Sequence, residues 1–295
     1  MYQKVTTAAP AKLNLALDIT GRRADGYHEI DTLFQSVDLC DILRLSREER
    51  PGIYVSCDRP RLPCDETNLA HIAARQFLQW FGLEGRGVFI DIEKRIPLQA
   101  GLGGGSADAA GVLVGLDTLF GTGASLEELA RLGAAVGSDV PFCILGGTRR
   151  GRGRGELLEQ VSPLPDRTPM VIAKPEAGIS TAESYRRYDQ QGARRRPDLP
   201  ALLALLEAGE TAAFAQGMYN VLQEVAGLPQ VTELCQKLMN AGALGAMMSG
   251  SGSAVFGLFE GRRQAKHGMR KLFGLAQSVF LVQSVPHGAV VLDCR

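Results

Sequence analysis

Hydrophobic and polar positions change period several times along this chain, and each change marks an element. Val88, Ile90 and Ile92 alternate with Phe89, Asp91 and Glu93. That period of two sets successive side chains on opposite faces of a strand. From Ala109 to Leu119 the residues are mostly Ala, Val and Leu, which predicts a buried helix beginning at about Ser106. Upstream, Val5 to Ile19 reads as a strand pair or a bent strand broken at Pro10. Leu13, Leu15 and Leu17 share one face; Lys12, Asn14 and Ala16 share the other. Lys12 and Asn14 thus project together, about 7 Å apart along the strand. They are either an exposed polar face or a pair aimed at a ligand.

The same reading predicts strands over Tyr27–Val37 and Leu39–Leu45, joined to the first by a tight turn at Asp25-Gly26. Pro51–Pro63 reads as loop. Thr67–Phe81 reads as a helix with Ala70, Ala73, Ala74, Phe77, Leu78 and Phe81 on its apolar side. Ser125 and Glu128 form a capping box for a helix through Val136. In the second half, strand Met170–Ala173 precedes a helix start at Thr181–Tyr188. Helices follow over Asp198–Ala208, Thr211–Gln216 and Pro229–Ala241. A Gly/Ser turn at Ser249–Ser253 joins two strands, and helix Arg262–Phe273 and strand Ser278–Val282 come last. Segregated strands and helices of this kind predict an α+β fold. The pattern shifts near residue 150, which divides the chain into domains 1–152 and 153–295. The Arg-Gly tract Arg149–Arg154 reads as a solvated turn, and Arg194–Arg196 as an exposed linker.

Composition narrows the function classes. The 295 residues are 45% hydrophobic and 22% charged, with 32 basic and 32 acidic side chains. Zero net charge argues against a nucleic-acid or membrane-surface partner. No run approaches the length of a transmembrane helix, and Met1–Lys12 lacks signal-peptide character, so a cytoplasmic enzyme is expected. Cys40, Cys57, Cys64, Cys143, Cys235 and Cys294 lack metal-site spacing and read as reduced core thiols.

The candidate chemistry centres on Pro97, Leu98, Gln99, Ala100, Gly101, Leu102, Gly103, Gly104, Gly105, Ser106 and Ala107. Glycines there admit positive φ and close approach of a ligand to the backbone. A following helix start offers unpaired N–H groups and a partial positive charge. Together these make a phosphate site; the alternative is a flexible turn. The stretch lacks the Gly-Lys-Ser/Thr of a Walker loop and the third glycine of the dinucleotide fingerprint. No His-Arg-Asp or Asp-Phe-Gly set of a protein kinase occurs. Asp139, between a helix stop and Pro141, is either a turn former or a catalytic group. Tyr27 and His28 either pack in the core or form a platform for a planar base. The Ser249–Ser253 turn is either a plain hairpin or a phosphate lining.

Three stretches in order, Pro10–Leu15, Pro97–Ala107 and Ser249–Phe256, resemble the three-motif layout of the GHMP kinases. Gly21–His28, Thr32–Gln35 and Gly137–Phe142 sharpen this to the branch acting on 4-diphosphocytidyl-2-C-methyl-D-erythritol. The resemblance covers nearly the whole chain. It implies an N-terminal ribosomal-protein-S5-domain-2-like domain and a C-terminal ferredoxin-like domain. It implies ATP as phosphoryl donor, Mg²⁺, and no obligate protein partner. By the same resemblance Lys12 and Asp139 are the catalytic pair and Pro97–Ala107 the ATP-phosphate loop. Asn14, Tyr27, His28, Thr181 and Tyr185 would bind the acceptor, its cytosine between Tyr27 and Tyr185. One departure is visible: Gly104 and Gly105 stand where serines are common in the superfamily, which leaves Ser106 as the hydroxyl and no protein metal ligand assigned.

Overall fold

The computed structural model describes residues 2–60 and 62–295. In the first half, β1 (Lys4–Arg22) and β2 (His28–Glu48) form one long antiparallel hairpin. After β3 (Gly52–Cys57) come α1 (Leu69–Trp80), β4 (Gly87–Glu93) and α2 (Gly104–Phe120). Helices α3 (Leu126–Val136) and α4 (Val140–Leu145) precede β5 (Thr148–Gly153) and β6 (Leu157–Gln160). The second half runs β7 (Pro169–Lys174), α5 (Thr181–Gln191), α6 (Leu199–Glu207), α7 (Thr211–Gly217), α8 (Val221–Val225) and α9 (Pro229–Asn240). It closes with β8 (Gly245–Met248), β9 (Val255–Leu258), α10 (Arg262–Lys271), β10 (Ser278–Gln283) and β11 (Val290–Cys294).

Two sheets organise these elements. The larger has the order β11-β1-β2-β4-β3, with β5 also on β2 and β6 on β5. The smaller is antiparallel in the order β10-β7-β9-β8, the ferredoxin-like order, with α9 and α10 packed on it. The first sheet therefore reaches past residue 152 and takes its last strand from residues 290–294. Helix α2 lies on the first sheet; its interior residues from Ala107 to Leu116 are buried. Close approach is possible because Gly111 and Gly115 face Leu43, Leu45 and Thr7, leaving no room for a Cβ.

Several local expectations are corrected. Strand β1 runs unbroken through Pro10, where the register with β2 merely shifts; a proline is tolerated at such an irregularity. The two strands expected over residues 27–45 are one. Residues 52–57, expected as loop, form β3, paired in parallel with β4. The Arg-Gly tract is not a solvated turn but strand β5. Gly151 and Gly153 turn inward, where Gly151 passes against the Phe34 ring with no space for a side chain. Arg149 bonds Gly146 O, Arg150 grips both oxygens of Asp31, and Arg152 and Arg154 reach Glu159 and Glu156. The Arg194–Arg196 segment is exposed but anchored: Arg196 donates to Asp18 and Ile19 O. All six cysteines are free thiols, yet only Cys143 and Cys235 are buried. No helix among the described residues is long and apolar enough to cross a membrane.

Candidate active site

The phosphate-loop segment adopts a special backbone. Gln99, Gly101 and Gly103 all have positive φ, at 51°, 74° and 70°. Alternation of left-handed residues with ordinary ones turns successive N–H groups into one concavity, a form suited to anions. Helix α2 then starts at Gly104, two residues earlier than expected, with Gly103 as an N-cap that has no side chain to offer. Helices α1, α3 and α5 are each capped by a side-chain oxygen, from Asn68, Ser125 and Ser180. The first intrahelical N–H bond of α2 is Ala107 N to Gly103 O, at 2.8 Å. The N–H groups of Gly104, Gly105 and Ser106 thus remain for an external acceptor.

Lys12 and Asn14 are not an exposed polar face: their exposures are 5% and 1%. Lys12 N–H donates to Leu102 O at 3.0 Å, which pins β1 to the loop. Its ammonium donates to Asn14 Oδ1 at 2.7 Å and lies 3.2 Å from Asp139 Oδ2. Asn14 Nδ2 donates to Thr32 Oγ1, whose hydroxyl donates to Ala16 O, so the amide is fixed. Asp139 occupies the N-cap position of α4, but its carboxylate makes no capping bond. An aspartate there ordinarily accepts from the next turn; here it is turned toward Lys12 instead.

The Gly/Ser turn between β8 and β9 is a hairpin and also packs on the loop. Ser249 Oγ accepts from Asn14 N and donates to Gly101 O, and Ala254 N donates to Ala100 O at 3.1 Å. Asn220 holds the turn by donating to the Met248 and Gly250 carbonyls. A Cβ at Gly101 would collide with the Ser249 carbonyl and would also sit at positive φ. Gly101→Ala is therefore expected to lower Tm by about 4 °C or more, since positive φ alone costs about 1–2 kcal/mol and 1 kcal/mol shifts Tm by about 2–4 °C in a protein of this size. It should also raise KM for ATP. Unchanged values of both would show that the contact contributes nothing.

Beneath the loop lies a charge cluster the sequence reading missed. Lys94, 2% exposed, donates to Asp41, to Asp108 Oδ2 (2.7 Å) and to Gly104 O (3.3 Å). Asp41 Oδ1 in turn accepts from the N–H groups of Arg95 and Ile96. Burial works against the Lys94 ammonium, but the two carboxylates outweigh it and hold its pKa above the ordinary value. Burial, with Asp41 adding to it, pushes Asp108 well above the carboxylate range. The cluster ties β2, the end of β4 and the first turn of α2 together. A signal did exist: Lys94 continues the inward series Val88, Ile90, Ile92, where a lysine needs a partner.

The loop, Lys12, Asn14, Asp139 and the Gly/Ser turn line one cavity of about 970 Å³, within the range of small-molecule sites. Every expected site residue borders it except Ala107, which is buried inside α2 with its N–H already used. Neighbour follows neighbour along the cavity. A Cβ on Gly103 would come within 2.8 Å of Lys12 Cγ; Lys12 pairs with Asp139. Burial, and then the Asp139 carboxylate, raise the pKa of the Tyr185 phenol, and the Tyr185 ring lies 4.8 Å from that of His28. Thr181 Oγ1 meets Ser251 Oγ at 3.0 Å. Tyr27 is 57% exposed and lies under the Arg154 guanidinium. Tyr27 makes no ring–ring contact with Tyr185 among the described residues; Tyr185 rests on His28. Ser251 of the Gly/Ser turn also borders the cavity, as do Asp189 and Arg154, which were not anticipated. No three ligating side chains converge as a metal site among the described residues.

Comparison with known proteins matches this geometry. The family GHMP kinases N terminal domain matches residues 68–147, and GHMP kinases C terminal matches residues 202–274. A 4-diphosphocytidyl-2-C-methyl-D-erythritol kinase from Syntrophomonas wolfei is 41% identical, over 96% of this chain and 99% of the relative. Its counterpart from Synechococcus sp. (strain JA-2-3B'a(2-13)) is 46% identical, over 92% and 91%. A crystal structure of 4-(cytidine 5'-diphospho)-2C-methyl-D-erythritol kinase superposes with a TM-score of 0.80 at 35% identity, covering 95% of this chain and 98% of that one. Homoserine kinase from Cytophaga hutchinsonii, at 22% identity and a TM-score of 0.82 over 99% and 98% of the chains, shares the fold. Near-full-length identity on this scale, together with the loop, the hairpin turn and the cavity they enclose, shows that the chain belongs to the 4-diphosphocytidyl-2-C-methyl-D-erythritol kinase family of the GHMP kinases.

Proposed function

We propose that the protein transfers the γ-phosphoryl group of ATP to the 2-hydroxyl of 4-diphosphocytidyl-2-C-methyl-D-erythritol, giving the 2-phosphate and ADP in the non-mevalonate isoprenoid route. The observation that carries this reading is the order of neighbours in the cavity. An uncapped helix start touches Lys12, Lys12 pairs with Asp139, and the Tyr185–His28 cluster lines the same cavity. That order supports a reading in which donor phosphates, reacting groups and acceptor base would follow one another along the cavity.

Phosphoryl transfer asks a protein chiefly for positioning and charge stabilisation. The free N–H groups of Gly104, Gly105 and Ser106 would hold phosphate oxygens. Asp139 would take the proton of the acceptor hydroxyl as its oxygen bonds phosphorus and the bond to ADP breaks. Lys12 would stabilise the charge on the transferring group; its fixed bond to Asn14 holds the ammonium in place. Mg²⁺ fits as a phosphate-bound ion, since it keeps waters and takes only one or two carboxylates from protein. Ser106, on the cavity wall, would hold it together with phosphate oxygens and water. Bound there, it would offset phosphate charge. Residues 1–152 and 153–295 act as the two halves of the site, and the reading requires a cytoplasmic setting but no nucleic acid, membrane or obligate protein partner.

Tyr27, His28, Thr181 and Tyr185 would take the cytidine end. Base–aromatic stacking contributes about 1–3 kcal/mol per base, so Tyr185→Ala is expected to raise KM for the cytidine acceptor roughly 5- to 150-fold. KM for ATP should not move. A fall in Tm with both KM values unchanged would assign Tyr185 to packing alone. The acceptor itself is tested by coupled ADP release with diphosphocytidyl-methylerythritol, mevalonate, homoserine and galactose. Turnover is expected with the first only, and comparable turnover of another would overturn the assignment.

A further inference from the structure

Helix α5 presents three side chains to His28. Tyr185, Tyr188 and Asp189 are spaced i, i+3 and i+4, which places them on one helix face. The Tyr185 ring is tilted by 31° against the imidazole, the Tyr188 ring meets it edge-on at 6.4 Å, and Asp189 Oδ1 lies 2.6 Å from Nε2. The His28 side chain is 11% exposed. Arg22 Nη1 lies 4.0 Å from the other oxygen of Asp189. Nδ1 of His28 has no protein partner among the described residues. His28 begins β2 and Asp189 sits near the end of α5, so the contact crosses between the two halves of the chain.

We propose that Asp189 is a positioning residue that fixes the His28 proton on Nε2 and thereby makes the acceptor pocket select cytosine over uracil. This rests on the cytidine reading given above. An ionised carboxylate accepts hydrogen bonds and donates none, and a neutral imidazole has one donor and one acceptor nitrogen. Asp189 therefore takes the N–H at Nε2 and leaves the Nδ1 lone pair as the only free polar function of the ring. Cytosine carries an amine at the position where uracil carries a carbonyl oxygen. A lone pair can accept from the amine, whereas facing the carbonyl it meets a second acceptor and both stay unpaired. Without Asp189 the proton can move to Nδ1, and the preference is lost.

Two measurements on the full-length protein test this. The first is ¹⁵N–¹H correlation of the histidine side chains, in buffer alkaline enough to keep the imidazole neutral. Wild type and Asp189→Asn, whose amide oxygen can still accept from Nε2, should show His28 protonated on Nε2 alone. Asp189→Ala should show a tautomer mixture. A wild-type proton on Nδ1, or an unchanged tautomer in Asp189→Ala, overturns the proposal. The second is kcat/KM for the cytidine acceptor and its uridine analogue. Asp189→Ala should lower the cytidine-to-uridine ratio by roughly 10-fold with KM for ATP unmoved, and Asp189→Asn should retain most of the ratio. Equal weakening of both acceptors would reduce Asp189 to a structural role and end the proposal. Failure of the cytidine reading itself would look different: wild type would use methylerythritol as well as its cytidine derivative, whatever the tautomer.

Discussion

Asp139→Asn is expected to lower kcat by about 100-fold or more, the usual scale for losing a general base, with ATP affinity largely unchanged. The variant keeps the shape of the side chain and the N-cap position of α4, where the carboxylate makes no capping bond to lose. What disappears is the acceptor-only group 3.2 Å from the Lys12 ammonium. Lys12 keeps its bond to Asn14, so the loop and its contact with β1 stay in place. Steady-state kinetics with saturating ATP, alongside calorimetric ATP binding, check this. Near-normal kcat in the purified variant would remove Asp139 from the chemistry. A parallel collapse of ATP binding would instead assign it to holding the donor.

Gly103→Val should disable the site by a different route. Gly103 has φ near 70°, a region that costs an L-residue about 1–2 kcal/mol and a β-branched one more. Its Cβ would also stand 2.8 Å from Lys12 Cγ and 3.3 Å from Cε. The change therefore strikes twice, distorting the N-cap that exposes the helix N–H groups and displacing the lysine stem. We expect KM for ATP to rise and kcat to fall together, each by about 10-fold or more, as 1–2 kcal/mol on each process requires. Circular dichroism should report a folded protein. Unchanged ATP affinity in a folded Gly103→Val protein would place the phosphate cradle elsewhere.

The candidate phosphate-loop segment was legible because its pattern is written locally. A strand, a glycine run and a small-residue helix follow one another from Val88 to Leu119, and backbone conformation does most of what the segment needs. Lys12 and Asn14 were legible as a pair, though not as a buried one, because burial depends on the turn at Ser249 and on the loop at Leu102, both distant in sequence. Long-range pairing explains the missed strands too. Strand β5 looked like a polar turn because Gly151 faces Phe34 and Arg150 and Arg152 find carboxylates on β2 and β6. Strand β11 joins β1 from the far end of the chain. Lys94, Asp41 and Asp108 are individually ordinary; only three segments meeting under the first turn of α2 make them a cluster. Asp189 was invisible for the same reason, since its partner His28 lies in the other half.

Phosphorylation of one hydroxyl on one acceptor can be followed by ³¹P NMR of the reaction mixture. With ATP, Mg²⁺ and 4-diphosphocytidyl-2-C-methyl-D-erythritol, one new phosphomonoester resonance coupled to the 2-position is expected. The diphosphate pair of the acceptor should be retained, and ADP should appear one for one with the product. ADP released without that monoester, or a monoester formed equally well on free methylerythritol, would contradict it.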